Sequence, residues 1–239
     1  MTLDSFVFSS IGGREENQDA VGKLESEDGA VYVVADGLGG HQFGRLAAEQ
    51  AVSVLLDGWD AAQAGENGGL PERIQRANEE ILEIQHSKNC ITKTTVVALA
   101  LFRGKAAWAN TGDSRLYYIH NRQIEGYTED HSVAYKKYKA GSITRAGIAQ
   151  DEDQSCLLKA LGGESRWEPD LVILDEVSPG DAFMLCSDGM WEHILDEEIL
   201  IDYLKSESAE KWAKLMLLRA IDRIEPGNDN LSLITVMVD

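Results

Sequence analysis

Two apolar runs that end at an Asp-Gly pair constrain the fold of this chain more than any other feature. The first run, VYVVADGLGGH, reaches Asp36 and Gly37, and the second, AFMLCSDGMW, reaches Asp188 and Gly189. Apolar runs this short predict buried strands and not helix cores. A glycine after the acid permits tight backbone geometry, so the carboxylate at the strand end can offer its oxygens to a hard cation. Two such runs predict two sheets that bring acids to one place.

The charge balance excludes several classes of partner. The chain has 239 residues, with 22 Lys and Arg against 41 Asp and Glu, so its net charge is −19. Nucleic acids and anionic membranes bind basic patches, so we expect neither as a partner. The three cysteines (Cys90, Cys156 and Cys186) have no short spacing, which favours a reducing compartment over a disulfide framework or a zinc cluster. The start, MTLDSFVFSS, does not resemble a signal peptide, and the longest apolar run is too short for a membrane span. These features predict a soluble cytoplasmic protein.

Strands and helices come in blocks, which predicts an α+β layered fold. Short connections between the strands after residue 94 predict an antiparallel meander, because parallel pairs need a long crossover. The segment 131–166 is polar and weakly periodic, and long loops of this kind in compact domains are usually functional. We find no linker and predict one domain over residues 1–239. The predicted helices cover 43–56, 71–87, 133–140, 196–204 and 208–224, and the predicted strands cover 6–9, 31–35, 94–102, 106–110, 115–119, 123–127, 171–174, 182–187 and 231–238.

Five aspartates are candidate metal ligands because each lies at the edge of an element or in a turn. None has a histidine or cysteine nearby at zinc spacing, and carboxylate oxygens suit Mg²⁺ or Mn²⁺. Arg14 shares a loop with one of them, and a guanidinium can grip phosphate oxygens bidentately. Taken singly, each acid reads as an ordinary turn residue and Arg14 as a solvated surface residue. The five candidates are Asp19, Asp36, Asp113, Asp188 and Asp229.

Seven short motifs along the chain carry a family resemblance. In their order and approximate spacing the chain resembles the metal-dependent serine/threonine protein phosphatases of the 2C type, as a compact bacterial member. The resemblance extends over essentially the whole chain. The motifs are RxxNQD (14–19), ADGLGGH (35–41), TGDSR (111–115), EDHS (129–132), ALGG (160–163), SDGMW (187–191) and DNLSLI (229–234).

The resemblance implies a fold and a reaction. The fold would be a four-layer α-β-β-α sandwich of two antiparallel sheets flanked by helices, with a flap at about residues 131–166 beside the active site. The reaction would be hydrolysis of phosphoserine and phosphothreonine by a water that two Mn²⁺ or Mg²⁺ ions activate. The partners would be phosphorylated proteins, with a bacterial Ser/Thr kinase that the enzyme opposes. We expect a monomer.

The resemblance also assigns roles to the metal ligands. Asp36 would bridge the two ions, and the carbonyl of Gly37 would help to hold one of them. Asp188 and Asp229 would complete one site. Asp19 would hold waters of the metal cluster.

Further residues would serve a third metal, the phosphate and the leaving group. Asp113 would contribute to a third, weaker metal site, and Arg14 would bind the substrate phosphate. His41 is the nearest candidate proton donor, although animal members carry a histidine at the position of Leu38, and a metal-held water could donate instead. His131 is expected to be structural.

Other classes of function remain as alternatives or are excluded by sequence. A cysteine phosphatase needs Cys-x5-Arg, and no cysteine of this chain has an arginine at that spacing. A catalytically inactive phosphoprotein-binding module is the main alternative, against which the intact metal-ligand candidates argue. A second alternative keeps the same chemistry but acts on small phosphate esters.

Overall fold

The strands of the chain form two antiparallel sheets. The computed structural model describes residues 2–39, 42–163 and 169–239. Within these ranges the strands are β1 (Leu3–Ser10), β2 (Asp19–Ser26), β3 (Gly29–Leu38), β4 (Lys93–Thr94), β5 (Val96–Phe102), β6 (Lys105–Thr111), β7 (Arg115–His120), β8 (Gln123–Tyr127), β9 (Asp170–Leu174), β10 (Ala182–Cys186) and β11 (Leu231–Val238). The first sheet has the order β1-β11-β10-β7-β8, and the second has the order β2-β3-β5-β6-β9 with β4 paired to β3.

Helices cover the outer faces of both sheets. Their bounds are α1 (Gln42–Leu56), α2 (Leu70–Lys88), α3 (Val133–Lys139), α4 (Asp188–Trp191), α5 (Asp196–Leu204) and α6 (Ala209–Arg223), and a 3₁₀ turn covers Ile148–Gln150. Val33 of β3 packs in one core with Ala48 of α1 and Ile74 of α2. On the opposite side of the molecule, Met184 of β10 packs in a second core with Trp212 of α6.

A third core lies between the two sheets. Tyr32 and Val34 of β3 share it with Phe183 and Leu185 of β10, and all four side chains are fully buried. Successive residues of β3 and β10 therefore face either the other sheet or a helix layer, as the pleat of a strand requires. Strands covered on both faces need continuous apolar sequence, which explains the two runs that end at Asp-Gly. The predicted four-layer α-β-β-α sandwich is confirmed.

The predicted meander is wrong at one connection. The hairpins β5–β6 and β7–β8 form as expected. However, β6 pairs with β5 and β9, whereas β7 pairs with β10 and β8, so the connection between β6 and β7 crosses from one sheet to the other. Gly112 permits this crossing, because its φ of 95° and the closeness of Thr95 leave no room for a side chain. A short connection thus need not join neighbours of one sheet when two sheets pack face to face.

The predicted flap segment is described up to Gly163. It begins with α3, whose N-cap Ser132 accepts a hydrogen bond from the backbone N–H of Tyr135. It ends against the second sheet, where the backbone of Leu161 pairs with Thr94. Residues 164–166 of the predicted flap lie outside the described ranges, and the assignment of the whole chain to one domain stays a prediction. None of the described helices has the length and apolar character that crossing a membrane demands.

Candidate metal centre

Two acids meet across neighbouring strands of the second sheet. Asp19 is the first residue of β2, and the antiparallel register places it directly opposite Asp36 of β3. Residues in directly opposite positions project from the same face, with Cβ atoms about 5 Å apart. Strand β2 was not among the predicted strands, so the sequence could not supply this register.

The backbone of Asp36 is held by two threonines. Its carbonyl accepts hydrogen bonds from the backbone N–H of Thr95 and from Oγ1 of Thr94, both at 2.8 Å. Its own N–H donates to Thr95 Oγ1 at 3.0 Å. Thr95 Oγ1 also lies 2.7 Å from Ser114 Oγ, which links Asp36 to the turn that crosses between the sheets. These threonines were not predicted as site residues, because nothing in their local sequence distinguishes them.

Asp113 and Asp188 bring the first sheet to the same place. Asp113 lies in the crossing turn, and its carbonyl accepts a 2.9 Å hydrogen bond from Trp191 Nε1. Asp188 follows β10 and opens α4, where the N–H of Gly189 donates to its Oδ1 at 2.6 Å. Asp36, Asp113 and Asp188 each offer a carboxylate oxygen, and these oxygens all lie within 4.8 Å of one another.

Asp229 and Arg14 form the outer edge of the cluster. Arg14 Nη2 donates to Asp229 Oδ2 at 2.7 Å, and the backbone N–H of Asn230 donates to Oδ1 at 2.8 Å. An ionised carboxylate has about four lone-pair positions, so both oxygens of Asp229 can accept further contacts. The Arg14 side chain is 53% exposed, which leaves it open to a ligand in solution.

Asn230 is a buried residue next to Asp229 that was not among the candidates predicted from the sequence. Its Oδ1 accepts a hydrogen bond from the N–H of Gln18 at 2.8 Å. Its Nδ2 donates to the carbonyls of Ile11 at 2.8 Å and Glu16 at 3.1 Å. The buried amide therefore fixes both ends of the loop that carries Arg14.

Ser187 holds the side chain of Asp19 in position. Its hydroxyl donates to Asp19 Oδ2 at 2.7 Å and accepts from the N–H of Ser232 at 3.1 Å. Because Ser187 directly follows β10 and Asp19 begins β2, this contact joins the two sheets at the acidic cluster. The sequence offers one signal for the role of Ser187, which is its position next to Asp188 in the SDG motif.

Four of the clustered acids have pKa values raised above those of free aspartates. Burial, followed by repulsion from Asp188, holds the pKa of Asp36 and of Asp113 well above the usual range, and Asp130 adds to the repulsion on Asp113. Burial raises the pKa of Asp19 to about 7, against the opposing effect of its serine hydrogen bonds. Burial and the charge of Asp229 raise the pKa of Asp188. Crowded carboxylates with raised pKa values call for a compensating cation.

Glu192 is a further acid beside the cluster that the sequence analysis did not identify. Burial, then the charges of Asp188 and Asp229, raise its pKa to about 8. The buried Gln154 amide nitrogen has no well-formed hydrogen bond, yet it lies near enough to lower the pKa of both Glu192 and Asp188. Gln154 belongs to the predicted flap, so that segment reaches the acids.

Three further residues were discussed as possible site residues, and the structure describes two of them. Gly37 lies where a Cβ atom would be 2.2 Å from the carbonyl oxygen of Gly44, so only glycine allows α1 to approach the Asp36 turn. His41 lies outside the described residues. His131 accepts a 3.1 Å hydrogen bond at Nδ1 from the N–H of Gly112, which fits its predicted structural role.

The acids open onto a cleft with a volume of about 990 Å³. Ser155 of the predicted flap lines it, as do residues of the loop before β2 and of α1. We call this feature the cleft; its lining residues are Ile11, Arg14, Glu15, Glu16, Asn17, Gln18, Asp36, Gly37, Leu38, Gly39, Arg45, Ser155, Asp188, Asp229 and Asn230.

Comparison with known proteins places these observations in a family. The family model described as protein phosphatase 2C matches residues 9–217. The chain is 32% identical to the serine/threonine phosphatase stp of Listeria welshimeri, over 93% of this chain and 90% of that protein.

Solved structures give the same result for the fold. The chain superposes on the serine/threonine phosphatase Stp1 from Staphylococcus aureus with a TM-score of 0.87 and 26% identity, covering 100% of this chain and 96% of the other. It also superposes on the catalytic domain of the protein phosphatase PstP in complex with two manganese ions, with a TM-score of 0.85, 25% identity and 99% coverage of both chains. The chain belongs to the protein phosphatase 2C family.

Proposed function

We propose that this chain removes phosphate from phosphoserine and phosphothreonine of proteins in the cleft, with Asp36 at the centre of the reaction. The reaction class is that of its family and of its named relatives, so the predicted metal-dependent protein serine/threonine phosphatase is confirmed. The observation that carries the residue roles is the convergence of three carboxylates from two sheets within 4.8 Å. Nothing favours the alternative of an inactive binding module.

The donor set of the cluster fits divalent cations. Every candidate ligand is an oxygen, as Mg²⁺ and Mn²⁺ prefer, and burial followed by mutual repulsion raises the pKa values of Asp36 and Asp113, which a divalent cation would oppose. Asp36 would be the central residue that holds these ions, together with the Gly37 carbonyl and the pair Asp188 and Asp229. When bound, such ions polarise phosphoryl oxygens and lower the pKa of water.

The two remaining acids would hold the periphery of the site. Asp19 is 8% exposed and fixed by Ser187, which suits a ligand that acts through water. Asp113 contributes an oxygen to the same 4.8 Å group as Asp188, which supports a third site between these two residues. The number of ions is part of this proposal.

Arg14 is positioned to bind the substrate phosphate. Its Nη2 contacts Asp229, while the rest of the guanidinium lies in the cleft with more than half of the side chain exposed. A guanidinium can bind two phosphoryl oxygens at once and can offset the charge that develops on them in the transition state. The Asn230 contacts keep the Arg14 loop in place before substrate arrives. The proton for the leaving serine or threonine oxygen would come from His41 or from water.

The flap, the domain and the cellular setting complete the proposal. The flap at about residues 131–166 would border the substrate, as Gln154 and Ser155 suggest, within one domain over residues 1–239. We propose a monomer in the cytoplasm that opposes a bacterial Ser/Thr kinase. The three unpaired cysteines agree with a reducing compartment.

One experiment tests the central role of Asp36. Calorimetric titration with Mn²⁺ is expected to show loss of tight binding in Asp36→Asn, and hydrolysis of a phosphothreonine peptide is expected to fall at least about a hundredfold. The matched control is Asp175→Asn, because Asp175 is 90% exposed and pairs with Lys105 away from the cleft. Unchanged Mn²⁺ affinity in Asp36→Asn would contradict the assignment.

Assays of the wild-type protein with Mn²⁺ also test the two alternative functions, an inactive phosphoprotein-binding module and a phosphatase of small phosphate esters. An inactive binding module would bind the phosphopeptide without releasing phosphate in the presence of Mn²⁺. An esterase for small molecules would have a higher kcat/KM for p-nitrophenyl phosphate than for the phosphothreonine peptide. We expect phosphate release and the opposite order of kcat/KM.

A further inference from the structure

Positive charge is scarce in this protein, yet the cleft contains two arginines. Acidic residues outnumber basic residues by 41 to 22 over the whole chain. The cleft is lined by Arg14 and Arg45 together with Glu15 and Glu16. Arg14 has a role in the proposed function, whereas Arg45 has none. A cation kept in the cleft of a strongly acidic protein requires a separate explanation.

The position of Arg45 is fixed relative to the metal-ligand candidates. Arg45 follows Gly44 in α1, and α1 begins a few residues after Asp36. Gly44 packs so closely that a Cβ atom there would lie 2.8 Å from the Gly37 carbonyl oxygen and 3.0 Å from Gln18 Cδ. The start of α1 thus rests directly on the turn after Asp36. Arg45 is therefore part of a helix that packs directly against this turn.

The guanidinium of Arg45 retains unused donors. Its Nε donates to Glu49 Oε1 at 2.7 Å, and its side chain is 53% exposed. In the part of the chain that the structure describes, this is the sole hydrogen bond of the group, and a guanidinium has five N–H donors. An exposed pair at i,i+4 is weak, so Glu49 does not prevent a second contact.

We propose that Arg45 binds a carboxylate side chain next to the phosphorylated residue of the substrate, which makes acidic phosphopeptides the preferred substrate class. This inference rests on the proposed function, since it assumes that a phosphopeptide occupies the cleft. The Arg45 guanidinium matches the planar geometry of a carboxylate. Glu15 and Glu16 repel acidic side chains in the same cleft, and the charge of Glu16 also acts on Arg45. The preference therefore depends on the charge of Arg45 and would reverse with it.

The test compares three phosphothreonine peptides that differ only in the residues flanking the phosphothreonine, which are aspartate, alanine or lysine. The quantity measured is the ratio of kcat/KM for the aspartate peptide to that for the alanine peptide, with Mn²⁺ present. We expect Arg45→Ala to lower this ratio about two- to fivefold, as for the loss of one exposed ion pair. Arg45→Glu is expected to lower it further and to favour the lysine peptide. Both changes should appear in KM more than in kcat, and salt should weaken them.

Arg76→Glu is the matched control. Arg76 also forms an i,i+4 ion pair on a helix surface, with Glu80 of α2, but it does not line the cleft. This variant changes the net charge as Arg45→Glu does, and it is expected to keep the wild-type ratio. A general effect of net charge would therefore change the ratio in both variants.

The outcomes separate the inference from the proposed function. If the wild type hydrolyses all three peptides and Arg45→Glu leaves the aspartate-to-alanine ratio unchanged, the inference alone is overturned. An equal loss of ratio in Arg45→Glu and Arg76→Glu overturns it as well. If the wild type hydrolyses none of the peptides with Mn²⁺ present, both the proposed function and the inference are overturned.

Discussion

Arg115 and Asp130 form an ion pair in the interior, and its disruption is expected to destabilise the protein strongly. Arg115 Nε and Nη2 donate to the two carboxylate oxygens of Asp130 at 2.8 and 2.6 Å. The side chains are only 5% and 1% exposed. Replacement of Arg115 by methionine would leave the Asp130 carboxylate buried without a partner. Removal of one partner from a buried pair costs about 3–5 kcal/mol of the free energy of unfolding.

A double variant shows whether the loss of stability comes from an unpaired buried charge or from lost packing. Arg115→Met combined with Asp130→Leu removes both charges, and replacing a whole buried pair by apolar residues is often neutral. We therefore expect the double variant to recover most of the stability that Arg115→Met loses. The surface variant Lys105→Met serves as control, because Lys105 pairs with a carboxylate that is 90% exposed, and loss of this pair should change the free energy of unfolding little.

Urea unfolding followed by tryptophan fluorescence, in the presence of a chelator, measures these free energies without a contribution from bound metal. A loss in Arg115→Met no larger than that in Lys105→Met would refute the reasoning. So would a double variant that is less stable than Arg115→Met. The pair also supports the site, since the Arg115 guanidinium lies 3.5 Å from the ring centre of Trp191, which donates to the Asp113 carbonyl.

Two further predictions concern the acidic cluster and its supporting loop. Because the folded-state pKa of Asp19 is raised to about 7, the folded protein binds this proton more tightly than the unfolded chain does. The chelated protein should therefore lose stability as the pH rises from about 4 to about 7, by roughly 4 kcal/mol from Asp19 alone, and Asp36 and Asp113 act in the same direction. Urea midpoints across this pH range check this, and a midpoint that rises steadily with pH would contradict it. Asn230→Ala should cost about 1–3 kcal/mol, because it removes a buried amide that satisfies three backbone groups, and it should raise KM by loosening the Arg14 loop. Urea unfolding combined with peptide kinetics measures both effects, and an unchanged KM would show that the loop needs no such anchor.

The sequence could predict the layers because the strands that form the interior are continuous apolar runs. The strands β8 and β11 have the predicted bounds 123–127 and 231–238. Strand β2 was missed because its sequence, DAVGKLES, has charged residues and little alternation. The edge position of β2 allows such a sequence, since one side of an edge strand has no neighbour to pair with.

The candidate acids could be selected from sequence because each lies at the edge of an element or in a turn, beside small or polar residues. Their support could not be predicted, because the groups that hold them come from distant parts of the chain. Thr95 contacts Asp36 across 59 residues, and Ser187 contacts Asp19 across 168 residues. Hydrogen bonds of this kind depend on the tertiary fold and leave no local pattern in the sequence.

The three carboxylates of Asp36, Asp113 and Asp188 come from both sheets and from the segment between them, so their spacing depends on the distance between the sheets. Asp36 extends from one sheet, Asp188 from the other, and Asp113 lies on the segment that passes between them. Tyr32 and Phe183 pack between the two sheets, so we expect the size of these side chains to influence the spacing of the three carboxylates. A smaller side chain at either position would let the two sheets approach. The affinity of the acids for a cation would then fall, although the chain would stay folded.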